Sequence, residues 1–334
     1  MRALFLMMLW GLSLVSHAVT VSDLYQVRVP VSDQSSASRQ SGLQEAFLQL
    51  VVKVTGKRDS AQNDAVLSAA SNADRFVKSF RFFRDTASGL QLEVVFAQNL
   101  FDDLLRDARL PVWGKSRPLV LVWLGVEADL QRAIVGPNQA QWKAATELAM
   151  NERGIPLLWP ALDLEDNMAL SVEQLWGLFR ADIATASERY MADAVLAGRL
   201  TPKSGGFGYR GFLKLKDEFT EVQAEGSSEA AVLAQVADQV SAFMAARFAV
   251  VSSESTGGFQ IQVGDVTSFK QYQDVLNYLK ANVAIKAVRV VSVTNQMLTL
   301  ELDLSADWAQ VWTTLALDRR LLQTEQESVY NWRH

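Results

Sequence analysis

There is no cysteine in this chain of 334 residues. Disulfides, thiolate chemistry and cysteine-based metal sites are therefore excluded, and so is lipid attachment at a mature N-terminal cysteine. Histidine is nearly absent, with only His17 and His334. A Ser-His-Asp triad or a histidine-rich zinc site has almost nothing to be built from. An enzyme here would have to work with carboxylates, lysine, tyrosine or arginine, and no stretch carries a recognisable catalytic, cofactor or metal motif. A basic excess is missing too. Net charge is −5, and residues 19–113, 114–256 and 257–334 hold 11, 13 and 7 basic against 11, 18 and 8 acidic side chains. Phosphate-backbone binding needs positive charge, so nucleic acid is a poor partner. Beyond the N-terminus no apolar run approaches the ~20 residues that span a bilayer, so no transmembrane segment is expected in the mature chain.

What is present is apolar side chains, 49% of the sequence, ample for packed cores. The length suggests two or three domains at about 100–200 residues each. The N-terminus has its own pattern. Arg2 precedes an apolar run, Ala3 to Val15, and Ser16-His17-Ala18 places small residues where a signal peptidase reads. This predicts a secretory signal over residues 1–18, cleaved between Ala18 and Val19, and a periplasmic protein of a Gram-negative cell.

Residues 19–113 read as a small α+β domain. A loose alternation runs over Val21–Val31, and Leu43, Ala46, Phe47, Leu50, Val51 and Val54 form one helical stripe stopped at Thr55-Gly56. A second helix is expected from Val66 through Phe80, then a strand from Gly89. Arg75, Lys78, Arg81 and Arg84 recur every three residues among Phe80, Phe82 and Phe83. The plain reading is the solvated face of that helix; the functional one is a basic and aromatic patch for an acidic partner.

Residues 114–251 read as a middle α/β domain with a mixed sheet, organised around the apolar run Pro118–Val126, a strand buried on both faces. A helix over Asn138–Arg153 and a short strand Ile155–Pro160 suggest a parallel βαβ-like unit. A meander follows from Ala194, turning through Thr201–Gly208 and returning over Tyr209–Lys216, and then a long helix begins at Ser228-Glu229. The element order resembles α/β domains of envelope assembly accessories. Ser252–Gly258 reads as a linker. Residues 258–324 give the order βαββαβ of a ferredoxin-like domain, and 325–334 read as a frayed polar tail.

The Leu43–Thr55 helix ending in Val-Thr-Gly, followed by Leu110-Pro111, Trp113-Gly114 and Arg117-Pro118-Leu-Val-Leu-Val-Trp123-Leu, resembles an exported bacterial family called domain of unknown function 2066. That resemblance brings no activity and no functional residues with it.

Three functions remain to be weighed. The first is an exported, non-enzymatic protein that binds another envelope protein or a cell-wall component as an accessory or adaptor. Its candidate surface is Trp113 and Trp159, near prolines at element ends, with Arg81, Arg84, Tyr209 and Arg210. The second is a carboxylate-dependent hydrolase of cell-wall material, using Asp163, Glu165 or Asp217 with Glu218, which requires acids ~5–10 Å apart. The third is a small-ligand module with an apolar pocket. No cofactor is expected for any of them.

Overall fold

A computed structural model describes residues 19–86, 89–128, 131–251 and 258–333. These residues form three larger sheets, one two-stranded ribbon and ten α-helices, a mixed α+β architecture. The expected leader, residues 1–18 with the expected cleavage residue Ala18, and residues 252–257 of the expected linker lie outside them. No helix among the described residues is long and apolar enough to cross a membrane.

The chain begins with β1 (Val19–Thr20), β2 (Gln26–Pro30) and α1 (Ser36–Thr55). The Ser35 hydroxyl caps α1 by accepting from the Ser38 amide. The whole apolar stripe of α1 is buried, and Gly56 closes it in the left-handed region at φ 71°. There follow α2 (Asp64–Ala70), a 3-10 turn, β3 (Val77–Asp85), β4 (Gly89–Phe96) and α3 (Gln98–Asp107). The sheet order is β2-β4-β3, antiparallel throughout. The helix expected to reach Phe80 therefore stops ten residues early, at Ala70. From Val77 the pattern has period two: Phe80 and Phe82 oppose the buried Val94 and Leu92, while Arg81 and Phe83 share the other face. A three-residue recurrence of arginine mimicked a helix, but a run of phenylalanines favours the pleated surface of a strand.

The middle sheet is built from β6 (Val120–Ala128), β7 (Gln131–Ile134), β8 (Leu157–Leu158), β9 (Ala194–Lys203), β10 (Gly206–Leu215) and β11 (Glu218–Gly226), after the short β5 (Ser116–Arg117) has paired with β1. Its helices are α4 (Ala140–Asn151), α5 (Leu164–Ala169), α6 (Val172–Trp176), α7 (Arg180–Ser187) and α8 (Glu229–Phe248). The order is β11-β10-β9-β6-β7, with β8 also beside β6. As its composition implies, β6 is buried on both faces. Val120, Val122 and Leu124 share a core with residues of α4 and α8; Leu121 and Trp123 share one with residues of α6 and α7. Its pairing with β8 and β9 is parallel, and β7, which sequence reading did not anticipate, returns antiparallel.

The last sheet contains β12 (Gly258–Gly264), β13 (Ile285–Thr294), β14 (Met297–Leu304), β15 (Leu321–Gln323) and β16 (Val329–Trp332), with α9 (Phe269–Lys280) and α10 (Trp308–Leu315). Asn295 and Gln296, both at positive φ (50° and 65°), make the tight turn between β13 and β14. Along the chain β12-α9-β13-β14-α10-β15 gives the expected order βαββαβ, but in space the sheet order is β13-β14-β12-β16-β15, with one strand more than expected. The tail does not fray: it forms β16, which inserts between β12 and β15 and runs parallel to β12. Tyr330 and Trp332 alternate inward and are 3% and 6% exposed. Two aromatics at period two outweigh the polar residues around them.

Candidate functional site

The turn-like stretch before β6 is the junction of the whole molecule. Val112 exchanges two backbone hydrogen bonds with Val250, 2.8 and 2.9 Å long, at the exit of α8. The Trp113 amide donates to Val54 O at the end of α1 (2.8 Å), and Ser116 Oγ donates to Asp318 Oδ1 after α10 (2.7 Å). At its centre stands Arg117, 0% exposed. Its Nη1 donates to the carbonyls of Arg153 and Gly154, its Nη2 to those of Lys53 and Trp113, and its Nε to that of Gly114, at 2.7–3.1 Å. The guanidinium lies 4.0 Å from the Trp113 ring centroid. Burial pushes its pKa down to about 9, so it stays charged at neutral pH. A fork of donors meeting a cage of carbonyls is a fit that lysine could not reproduce.

Lys53, 7% exposed, stands one turn before the end of α1 and donates to the carbonyls of Asp23 and Gln26 (3.2 and 3.0 Å). Burial lowers its pKa to about 8. It opens on a small cleft of about 170 Å³ shared with Arg28 and Glu152. A larger cleft, about 710 Å³, runs between the start of α3 and the α9–β13 connection. Its lining is of mixed sign, with Lys78 and Lys280 facing Asp102 and Asp103. Asp102 accepts from the Tyr25 hydroxyl, and burial raises both of their pKa values.

The hydrolase acids do not converge. Asp163 caps α5 by accepting from the Asp166 amide and is gripped by both terminal nitrogens of Arg189 (2.8 and 2.9 Å), which hold its carboxyl far below the usual range. Arg189 also pairs with Glu165 and Asp166. Glu218 pairs with Arg247 (2.5 Å). Asp163 follows β8 and Glu218 opens β11; those strands are four positions apart in the sheet, ~19 Å at ~4.8 Å per strand. No group of three or more His, Asp or Glu among the described residues is placed to hold a metal ion.

The predicted interaction residues scatter. Trp113 is 1% exposed and wedged under Arg117, so it is no surface group. Tyr209 is 4% exposed, because Gly198 and Gly211, paired across β9 and β10, leave the space its ring fills. Trp159 is half-buried, donating to Glu147 Oε1 (3.0 Å). Arg81 and Arg84 lie exposed on β3; Arg81 and Arg28 both clasp Glu93 (2.5 and 2.7 Å).

Arg210 is the exposed member that has company. Across β10 and β9 it lies directly opposite Arg199, and Arg199 is level with Gly125 on β6. All three share the face that carries Trp123, Ala197 and Phe212. Helices α5–α7 pack on this face around Leu121 and Trp123, and its other half is only partly open: Trp176 at the end of α6 packs where a Gly125 side chain would stand and the Lys203 side chain covers Gly208, while Arg210 is exposed. Arg132 on β7 sits 4.5 Å from the Trp176 ring centroid and Arg199 5.6 Å from it, and Arg199 Nη1 donates to the Trp176 carbonyl. Arg132 pairs with Glu127, and Lys203 with Glu225. No carboxylate among the described residues pairs with Arg199 or Arg210. Sequence reading missed Arg132, Trp176 and Arg199. The signal was the hairpin register: taking Ser204-Gly205 alone as the turn, with Gly205 at φ 85°, sets Arg199 opposite Arg210.

A family model described as a domain of unknown function (DUF8605) matches residues 18–114. This is a different family from domain of unknown function 2066, and it overturns that resemblance. The match ends inside the junction, after Trp113 and before Arg117. No curated protein and no solved structure matches the chain.

Proposed function

We propose that this protein is an exported accessory of the Gram-negative envelope, delivered to the periplasm by the signal at residues 1–18, which binds another envelope component rather than transforming a substrate. Its three modules, 19–113, 114–251 and 258–324, the last a ferredoxin-like unit extended by one strand, are held as one scaffold by the Arg117 junction. The observation that carries the reading is the partly open half of the middle sheet, where Arg199 beside Trp176 and Arg210 opposite it have no acidic partner among the described residues. Arginine and tryptophan on a rigid, flat element are the residue types that dominate protein interfaces. The hydrolase acids, by contrast, are each bound to an arginine or lie on opposite edges of the sheet. The test is cross-linking in intact cells followed by purification of the tagged protein. One envelope protein recovered in near-equal amount is expected. Turnover of cell-wall fragments by the purified protein would overturn the reading.

A further inference from the structure

We propose that the partly open half of the middle sheet docks an acidic segment of a partner protein, with carboxylates taken by Arg199 and Arg210. This rests on the binding role proposed above and names the chemistry of its partner. Three observations carry it. Arg199 and Arg210 are Cα partners on neighbouring strands. Like charges directly opposite one another destabilise a sheet, so the fold by itself does not call for this pair. Second, Arg199 is held in place: its Nη1 is fixed on the Trp176 carbonyl and its Cζ lies 5.6 Å from the Trp176 ring centroid, while its Nε and Nη2 have no hydrogen-bond partner among the described residues. A guanidinium immobilised this way loses little freedom when it takes a carboxylate through two parallel hydrogen bonds. Third, the backbone on either side is covered, by Trp176 over Gly125 and by the Lys203 side chain over Gly208, so the exposed Arg210 and its partner Arg199 are what this stretch offers an incoming segment.

The arrangement of signs selects the class of partner. The positive centre is flanked by Glu127 on one side, paired with Arg132 of the adjoining β7, and by Glu225 of β11 on the other, paired with Lys203 reaching across β10 from β9. The protein as a whole carries −5. With both flanks neutralised, the positive charge is confined to Arg199 and Arg210, a footprint that suits a segment with one or two carboxylates better than an anionic membrane or a polyphosphate.

The probe is a hexaglutamate peptide titrated into the isotope-labelled full chain and followed by amide NMR. Shifts are expected at Gly125, Gly198–Thr201 and Gly208–Gly211, weakening as salt is added. The R199Q/R210Q double variant should bind at least about tenfold more weakly, and R81Q, on the other sheet, as tightly as the wild type. R199K/R210K keeps the charge and the fold but loses the fork, and should fall between them. No binding by the wild type, equal binding by R199Q/R210Q, or equal binding of inorganic phosphate or phosphatidylglycerol vesicles would overturn the proposal. The cellular cross-linking separates the two claims. A partner still captured by R199Q/R210Q sinks this surface and spares the adaptor role; peptide binding here without any cellular partner does the reverse.

Discussion

Arg117 turns all three of its nitrogens onto carbonyl oxygens of five residues and is sealed from water, whereas Arg210 lies exposed across from Arg199, with no carboxylate of the described residues on either. Both settings put a guanidinium without an acid, yet the chemistry left over differs. At the junction every donor is consumed and the charge is dispersed over backbone dipoles, so the group can only hold segments together. On the open sheet the donors stay available, and water screens the like-charge cost. An unpaired arginine is thus structural or receptive according to whether its donors are already spent, and burial alone separates the two.

Removing Arg117 should break the comparison most severely. Arg117→Met removes the donor from five carbonyls, three of them in fully buried hydrogen bonds, and unsatisfied buried groups cost about 1–3 kcal/mol each. The expected loss is at least ~4 kcal/mol, with the single urea transition splitting as the modules melt separately, read by tryptophan fluorescence. Next is Gly56→Ala. At φ 71° an alanine is strained, and its Cβ would overlap that of Ala245 on α8, so a fall of ~2 kcal/mol is expected in the urea midpoint analysis.

Lys53 tests the buried side by pH. Its pKa in the folded chain is about 8, below its ordinary value, so between about 8 and 10.5 the unfolded chain binds more protons. Stability should therefore rise across that window as pH rises, while the cost of the buried ammonium persists below it. Lys53→Met should flatten the rise in urea titrations from pH 7 to 10; an unchanged slope would assign it to another group. Glu93 acts with the opposite sign. Arg81 and Arg28 lower its pKa to about 2, so its contribution is present above about 4.5 and fades as pH falls toward 2. In Glu93→Gln, that acid loss should shrink. The smallest effect belongs to the open face. Arg210→Gln should change stability by less than ~0.5 kcal/mol in thermal melts, since this exposed side chain has no partner among the described residues.

Much of the fold was legible where burial acts locally. The stripe of α1, the doubly buried β6 and the alternation Leu298, Leu300, Leu302 and Leu304 of β14 each carry their period within a few residues. Reading failed where two periods overlapped or polar neighbours masked one. β3 gave its arginines a helical spacing, and Tyr330 and Trp332 were hidden in a polar tail. The candidate site was legible only at Arg210. Arg199, Arg132 and Trp176 join it through strand register and the landing point of α6, which no local spacing records.

By itself the sequence determined which elements could form, because amphipathic period and capping are properties of neighbouring residues. It also excluded thiol chemistry and left only His17 and His334 for any histidine chemistry, because composition sets what a chain can build. Only the tertiary structure decided that Arg117 closes a junction and that Arg199 and Arg210 stand side by side on an open face. Both depend on which segments far apart in the chain meet, since a guanidinium's role is fixed by the acceptors around it.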